Sequence, residues 1–276
     1  MWSRIEPLMP ADPVRGRRWA NHRRTLEAIA WKYPTNSPWR DLPRRLGSFQ
    51  TAHKRLIRWA VDGTWEMILT AVLAAADADD DIDWTVSVDS TVVRAHQHAA
   101  GALTRGRPTP ASPPTTRSDA PRGGLSTKFH LAADGRARPL AFTVTAGQAG
   151  DAPAFETVMS RIRVPRTGPG RPRTRPLAVL ADRAYSSRAI RSHLRRRGIR
   201  AVIPQPSDQV SHRLRRGRLG GRPPGFDSEA YKQRNTVERC INRLKQWRGL
   251  ATRTDKLAIA YQAALHLASI LIWNRR

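Results

Sequence analysis

The sequence predicts a mixed α/β protein, with a sheet-based region preceded by a small all-helical one. Three observations carry this. Residues 1–76 place apolar side chains at helical spacing, as in "ANHRRTLEAIAWKY". An acidic run, "ADADDDID" at 76–83, then marks a change of regime. Beyond it, three strand-like segments able to pair antiparallel precede alternating helix and strand, the order of a mixed sheet.

Within the helical part, "WRDLPRRLG" reads as a short helix ending in a turn at Gly47. "SFQTAHKRLIRWAVDG" reads as a second helix with Ser48 as its cap. This is helix-turn-helix grammar, and the second helix would present Gln50, Thr51, Lys54, Arg55 and Arg58 to DNA. An ordinary helical hairpin with a solvated basic face has the same pattern. The clustered aspartates at 77–83 read as a solvated link rather than a metal site.

In the sheet part, "WTVSVDSTVVRAH" alternates and is rich in β-branched residues, which predicts a strand. Residues 101–124 are basic, Pro-rich and poor in anything to bury, so they read as a flexible loop. "STKFHLAADGRARPLAFTVTAG" is two strands about an Asp134-Gly135 turn. "DAPAFETVMSRI" is a helix with Asp151 at its N-cap. A second basic loop covers 165–176. "PLAVLADRAY" is a continuous apolar strand suited to a central position. A helix "SSRAIRSHLRRRG", a strand "IRAVIPQ" and a third basic loop at 207–226 follow, then a helix over "YKQRNTVERCINRLK". The apolar "KLAIAYQAALHLASILIWNRR" is interrupted by Lys256, Gln262 and His266, and reads as a buried core helix rather than a membrane span.

Composition narrows the partners. The 276 residues carry 49 Lys+Arg against 22 Asp+Glu, a net charge of +27, which points to polyanions and first of all to nucleic acid. With 39% hydrophobic residues and nine Trp, the chain can bury a core and is no disordered tail. Cys240 is the only cysteine, which excludes an internal disulfide and suits a reducing cytosol. "MWSRIEPLMP" holds no apolar stretch of the secretory kind. His96 and His98 with Cys240 fit no closed zinc spacing. Trp247 reads as core rather than as a stacking platform for a base.

The candidate chemistry lies in three carboxylates. Asp89 in "SVDST" and Asp182 in "LADRAY" end the two candidate central strands, where α/β sheets gather reactive groups. On the helix at 231–245, Tyr231, Arg234, Glu238 and Lys245 share one narrow stripe. A carboxylate between two cations and a phenol is an odd core face, because buried charges need partners. It makes sense if metal and phosphate bring the missing charges. Three carboxylates suit hard Mg²⁺ or Mn²⁺, which take few protein ligands, and a metal pair suits phosphodiester chemistry.

Together these residues resemble a known family. Asp89, Asp182 and Glu238, with Tyr-x2-Arg-x3-Glu-x6-Lys on the last helix, look like a DDE transposase of the insertion-sequence four/five superfamily, insertion-sequence-five type. The resemblance includes "PWRDLPRRLGSFQT", "DGTWEMIL", "GGLSTKFHLAADGRARPLAFTVTAGQAGDAPAFE" and "LATRTDKLA", so it spans nearly the whole chain. One departure is Ala184 after the second aspartate, where related sequences often have Gly. A second is the abrupt start at "MWSRIEPLMP", which offers no cap for the first helix and suggests a start codon some residues upstream.

The resemblance implies an RNase H-like catalytic domain over 84–276 behind a DNA-binding region over 1–76. It also implies Mg²⁺ or Mn²⁺ in two sites on Asp89, Asp182 and Glu238, with Arg234 and Lys245 on phosphates and Tyr231 beside the DNA backbone. Terminal inverted repeats and target DNA would be the substrates, and a homodimer on DNA the assembly, in a bacterial cytoplasm close to the nucleoid. Two other readings share these residues: an inactive relic that represses by occupying the repeats, and a nuclease that cuts without joining.

Overall fold

The computed structural model describes residues 2–12, 15, 18–100 and 126–275. The first basic loop at 101–124, with its Gly-Arg-Pro triplet, lies outside the described residues.

Short helix α1 (Trp2–Ile5) leads to α2 (His22–Thr35), α3 (Phe49–Val61) and α4 (Thr64–Ala78). Asn21 caps α2 by accepting a hydrogen bond from the Arg24 amide at 2.9 Å, and left-handed Asn36 ends it. The expected helix before Gly47 is two 3₁₀ turns, Trp39–Asp41 and Arg44–Leu46. Pro38 and Pro43, one before each turn, leave too short a run for an α-helix. Ser48 stands at the N-cap of α3 without capping it; its hydroxyl donates to Gln50 Oε1 at 2.6 Å instead. Gly63, at φ +79°, turns α3 into α4 in a conformation that strains other residues.

β1 (Thr85–Ala95) follows, then α5 (Gln97–Ala100), β2 (Ser126–Ala133), β3 (Pro139–Ala146) and α6 (Asp151–Arg161). β4 (Ala178–Ala181), α7 (Arg188–Arg196), β5 (Arg200–Val202) and α8 (Ser207–Arg215) come next. The chain ends with α9 (Ser228–Tyr231), α10 (Asn235–Lys245), α11 (Arg248–Ala251), β6 (Thr252–Arg253) and α12 (Ala258–Trp273). The sheet runs β3-β2-β1-β4-β5, with β6 pairing the far end of β1. β1, β2 and β3 are antiparallel, while β4 and β5 run parallel to β1. This is the RNase H-like mixed sheet, behind a helical region, that the resemblance implies.

Several local expectations change. The β2–β3 hairpin forms, but Ala137 rather than Gly135 takes the left-handed conformation. Gly135 is needed for close approach instead, since a Cβ there would sit 2.0 Å from Asp83 Oδ2. Gly150 is the N-cap of α6, and Asp151 is its first helical residue. Residues 207–226, read as loop, contain α8 and a 3₁₀ turn at Gly217–Gly220. Their many Arg and Gly hide one helical pair, Val210 and Leu214, four residues apart. The acidic run is latched rather than simply solvated: Asp81 pairs with Arg136 and Arg138, and Asp77 lies 3.5 Å from Arg173.

α12 is buried along nearly all its length and packs on α3, α4 and β3, so helical region and sheet share one hydrophobic core. Each fully buried Leu or Ile on it contributes about 1.5–3 kcal/mol of apolar burial. No helix among the described residues is long and apolar enough to cross a membrane. Trp247 and Cys240 are both buried in this core.

Candidate active site

The pleat of β1 sorts its side chains onto two faces. Toward α10 point Ser87, Asp89 and Thr91. Ser87 Oγ shares a 2.9 Å hydrogen bond with Thr236 Oγ1, Asp89 Oδ2 accepts from Arg234 Nη2 at 2.8 Å, and Thr91 Oγ1 accepts from Lys245 Nζ at 2.6 Å. β1 and the segment 234–245 are thus zipped together over three polar pairs, and Glu238 falls between the last two.

Asp182 reaches the same face. Parallel register matches Ser87 with Leu180 and Val88 with Ala181, so Asp89 and Asp182 follow side by side on one side of the sheet. The expectation that both aspartates end their strands holds only for Asp182. β1 continues to Ala95, and Asp89 sits where its parallel neighbour stops. Asp182 Oδ1 accepts from the Ala184 amide at 2.9 Å, capping the 3₁₀ turn Arg183–Tyr185. Ala184 has no positive φ, so an alanine costs nothing at this turn.

The stripe at 231–245 is not one uniform α-helix. A 3₁₀ turn, Lys232–Arg234, joins α9 to α10, the kind of tightening that often accompanies a functional position. Tyr231 lies ahead of it against Ala178, Leu180 and Val202, its ring 5.3 Å from that of Phe226. Arg234 spans two carboxylates, donating to Asp89 and to Glu238 Oε1. Lys245 is half-buried on Thr91 and the Val92 carbonyl.

Burial pushes the Asp89 carboxyl above its ordinary range; the Ser90 amide and Arg234 oppose this, and the charges of Asp182 and Glu238 add to it. Arg234 is held more firmly protonated, because Asp89 and Glu238 outweigh its own burial. The donors are apt in kind for a hard divalent cation, being carboxylate oxygens at one level of the sheet. Among the described residues, no three His, Cys, Asp or Glu side chains close around a single point, and Arg234 occupies the space between Asp89 and Glu238.

The opposite face of β1 carries a polar cluster that sequence reading missed. Ser90 Oγ donates to Asp151 Oδ1 at 2.6 Å, Lys128 Nζ donates to the same oxygen at 3.1 Å, and buried His130 lies 3.7 Å from it. Burial alone would raise the Asp151 carboxyl, but Ser90 and Lys128 bring it below its ordinary value. The one available signal was that Ser90, next to Asp89, must point the other way.

The helix-turn-helix residues divide. Gln50, Lys54 and Arg58 are exposed and Thr51 is half-buried on α3. Arg55 is not a surface residue: it is 5% exposed, stacked 3.6 Å from the Trp19 ring centre, with Nη1 3.0 Å from His22 Nδ1. Helical phase puts it beside Leu56 and Trp59, on the inward side.

Comparison with known proteins agrees with this architecture. Residues 81–273 match the family model described as "Transposase DDE domain", and residues 1–69 match "Putative transposase of IS4/5 family". A Burkholderia cepacia protein named "Putative transposase for insertion sequence element IS402" is 34% identical, covering 61% of this chain and 71% of its own. A Brucella ovis protein, "Putative transposase for insertion sequence element IS6501", is 28% identical over 55% of this chain and all of its own. Among solved structures, the Mos1 strand transfer complex aligns at 12% identity and a TM-score of 0.27, over 96% of this chain and 80% of that one. That last likeness is remote, whereas the DDE match runs through most of the chain and takes in Asp89, Asp182 and the helix of Glu238. The chain belongs to the DDE transposases of the IS4/5 type.

Proposed function

We propose that this transposase binds the terminal inverted repeats of an insertion sequence and performs metal-dependent strand cleavage and strand transfer at Asp89, Asp182 and Glu238. The carrying observation is the level placement of Asp89 and Asp182 on adjacent parallel strands with Glu238 tethered above them through Arg234. On this reading Asp89, Asp182 and Glu238 would hold Mg²⁺ or Mn²⁺ in two sites. Such a cation would activate the attacking oxygen and offset charge on the leaving one.

In cleavage, a water oxygen attacks the phosphorus at the element's end, the P–O3′ bond breaks, and the 3′-oxygen leaves to become a hydroxyl. In transfer, that hydroxyl attacks a target phosphodiester, one P–O bond forms, and the target's own 3′-oxygen leaves. Arg234 and Lys245 hold the phosphate on this face, with Arg234 exchanging a carboxylate for it, as a guanidinium does readily. Tyr231 lies along the backbone beside the cleaved end. Residues 1–76 form the end-reading region, with Gln50, Thr51, Lys54 and Arg58 of α3 contacting DNA and Arg55 supporting them from inside. Two copies acting on two ends form the working complex.

The test is cleavage of labelled repeat ends. Asp89→Asn and Glu238→Gln keep size and remove a negative ligand. Each is expected to lower cleavage by about 10³-fold or more, the scale of losing a main electrostatic stabiliser, while end binding survives. A Glu238→Gln protein that cuts at the wild-type rate in Mg²⁺ would remove Glu238 from the catalytic set.

A further inference from the structure

A groove of about 980 Å³ runs between α7, α8 and the 3₁₀ turn Gly217–Gly220. Its walls carry arginines from both helices and from the segment that follows, and Asp208 is the one acidic residue among the described residues that line it. Arg188 and Arg195 lie seven residues apart, on one face of α7. Arg215 ends α8, with Arg216 and Arg222 just beyond. All five are exposed, and none is ion-paired among the described residues. Arg191, between the first two, is different: it donates to the Ile203 carbonyl at 2.8 Å and belongs to the structure.

Five like charges along one groove repel one another, and no ion pair among the described residues offsets that repulsion. An external anion does. The arginines are exposed and spread over α7, the end of α8 and the segment beyond it rather than converging on one point, so a small anion has no closed cradle here. An extended polyanion matches the layout.

Position narrows the ligand further. Ser186, just past the 3₁₀ turn that Asp182 caps, is one of the residues that line the groove. The segment after β4 therefore carries Asp182 at its start and part of the groove wall further on. α7 packs on β5, at one edge of the sheet, whereas α3 packs on α12, which covers β3 at the other edge. Asp89 and Asp182 lie on the central strands between them.

We infer that this groove holds the phosphate backbone of the duplex flanking the element, on the side of the cleaved phosphate away from α3. The inference rests on the proposed roles of α3 and the carboxylates. Its contacts are sequence-independent, because arginines reaching phosphates read no bases.

The experiment compares two labelled duplexes, one ending at the outer edge of the inverted repeat and one continued by flanking DNA. Wild-type protein should bind the continued duplex with the steeper dependence of Kd on salt. Combined Arg195→Ala, Arg215→Ala and Arg216→Ala should lower that log–log slope by about 2.7, at about 0.9 per phosphate contact, and leave the shorter duplex unaffected. The corresponding triple lysine variant should restore most of the slope. Equal loss on both duplexes, or no loss on either, overturns the inference; the second outcome is also what an acidic protein partner would produce. Should the alanine variant melt early, Arg195→Ala and Arg216→Ala singly should each lower the slope by about 0.9. Binding is read without cleavage, so failure here is separate from failure of the carboxylate assignment.

Discussion

Arg55 on α3 and Arg234 ahead of α10 both read as DNA-contacting cations in the sequence, and the fold treats them differently. Arg55 lies under Trp19, and burial brings its guanidinium down to about 10. Arg234 stands between two carboxylates at a half-open surface. What separates them is the partner each meets. An aromatic face satisfies a cation permanently, whereas a carboxylate pair is a partner that an arriving metal ion and phosphate can replace. A basic residue in a basic protein is therefore no evidence of a contact until its neighbours are known.

The widest test of the interior around these two regions is acidification. Burial holds His130, beneath the candidate site, and His266, on the helix behind α3 and α4, down to about 4. The unfolded chain takes up these protons near 6.5. Folded stability is therefore complete above that value and falls as pH drops from about 6.5 toward 4, by on the order of 3 kcal/mol for each group. Melting curves across this range should show the loss, and His266→Gln should remove its share. A His266→Gln protein that loses as much stability on acidification as wild type would mean that His266 does not fold neutral.

Next in size is Arg55→Ala, which removes a buried stem and its stacking on Trp19. It should destabilise the chain by roughly 2 kcal/mol, measured by denaturant unfolding. Lys54→Ala, one position away and exposed, should stay within about 0.5 kcal/mol of wild type and weaken binding to repeat ends instead. Equal stability losses would erase the distinction drawn between the two sides of α3.

The smallest expected effect sharpens the Arg234 side. Arg234→Gln should lower metal-free stability by roughly 1 kcal/mol, since it leaves Asp89 without its cation. The same variant should gain more in melting temperature from Mg²⁺ than wild type does, because the guanidinium no longer competes for Asp89 and Glu238. An equal gain in both proteins would mean that Arg234 does not stand where a cation binds.

Much was legible in advance. Alternation over 84–96, the apolar run before Asp182 and the Arg-x3-Glu spacing placed the sheet centre and the helix above it, because side-chain period is a property of the local chain. Less legible was everything that depends on a distant neighbour. Ser90, Lys128 and Asp151 come from three separate segments, and no spacing announces their meeting. The helix within 207–226 was masked by glycine, proline and charge, which local rules weigh more than one apolar pair.

The sequence by itself determined the order of the five main strands, the +27 charge and the three carboxylates with their helical stripe, since each is written in composition or short-range period. Only the tertiary structure decided which cations are free. Register along β1 set Arg234 between Asp89 and Glu238, packing of α3 turned Arg55 inward, and the fold brought Arg188, Arg195 and Arg216 from separate segments to one groove. The physical reason is that a charge is defined by its surroundings, and those surroundings are assembled from parts of the chain that do not adjoin one another.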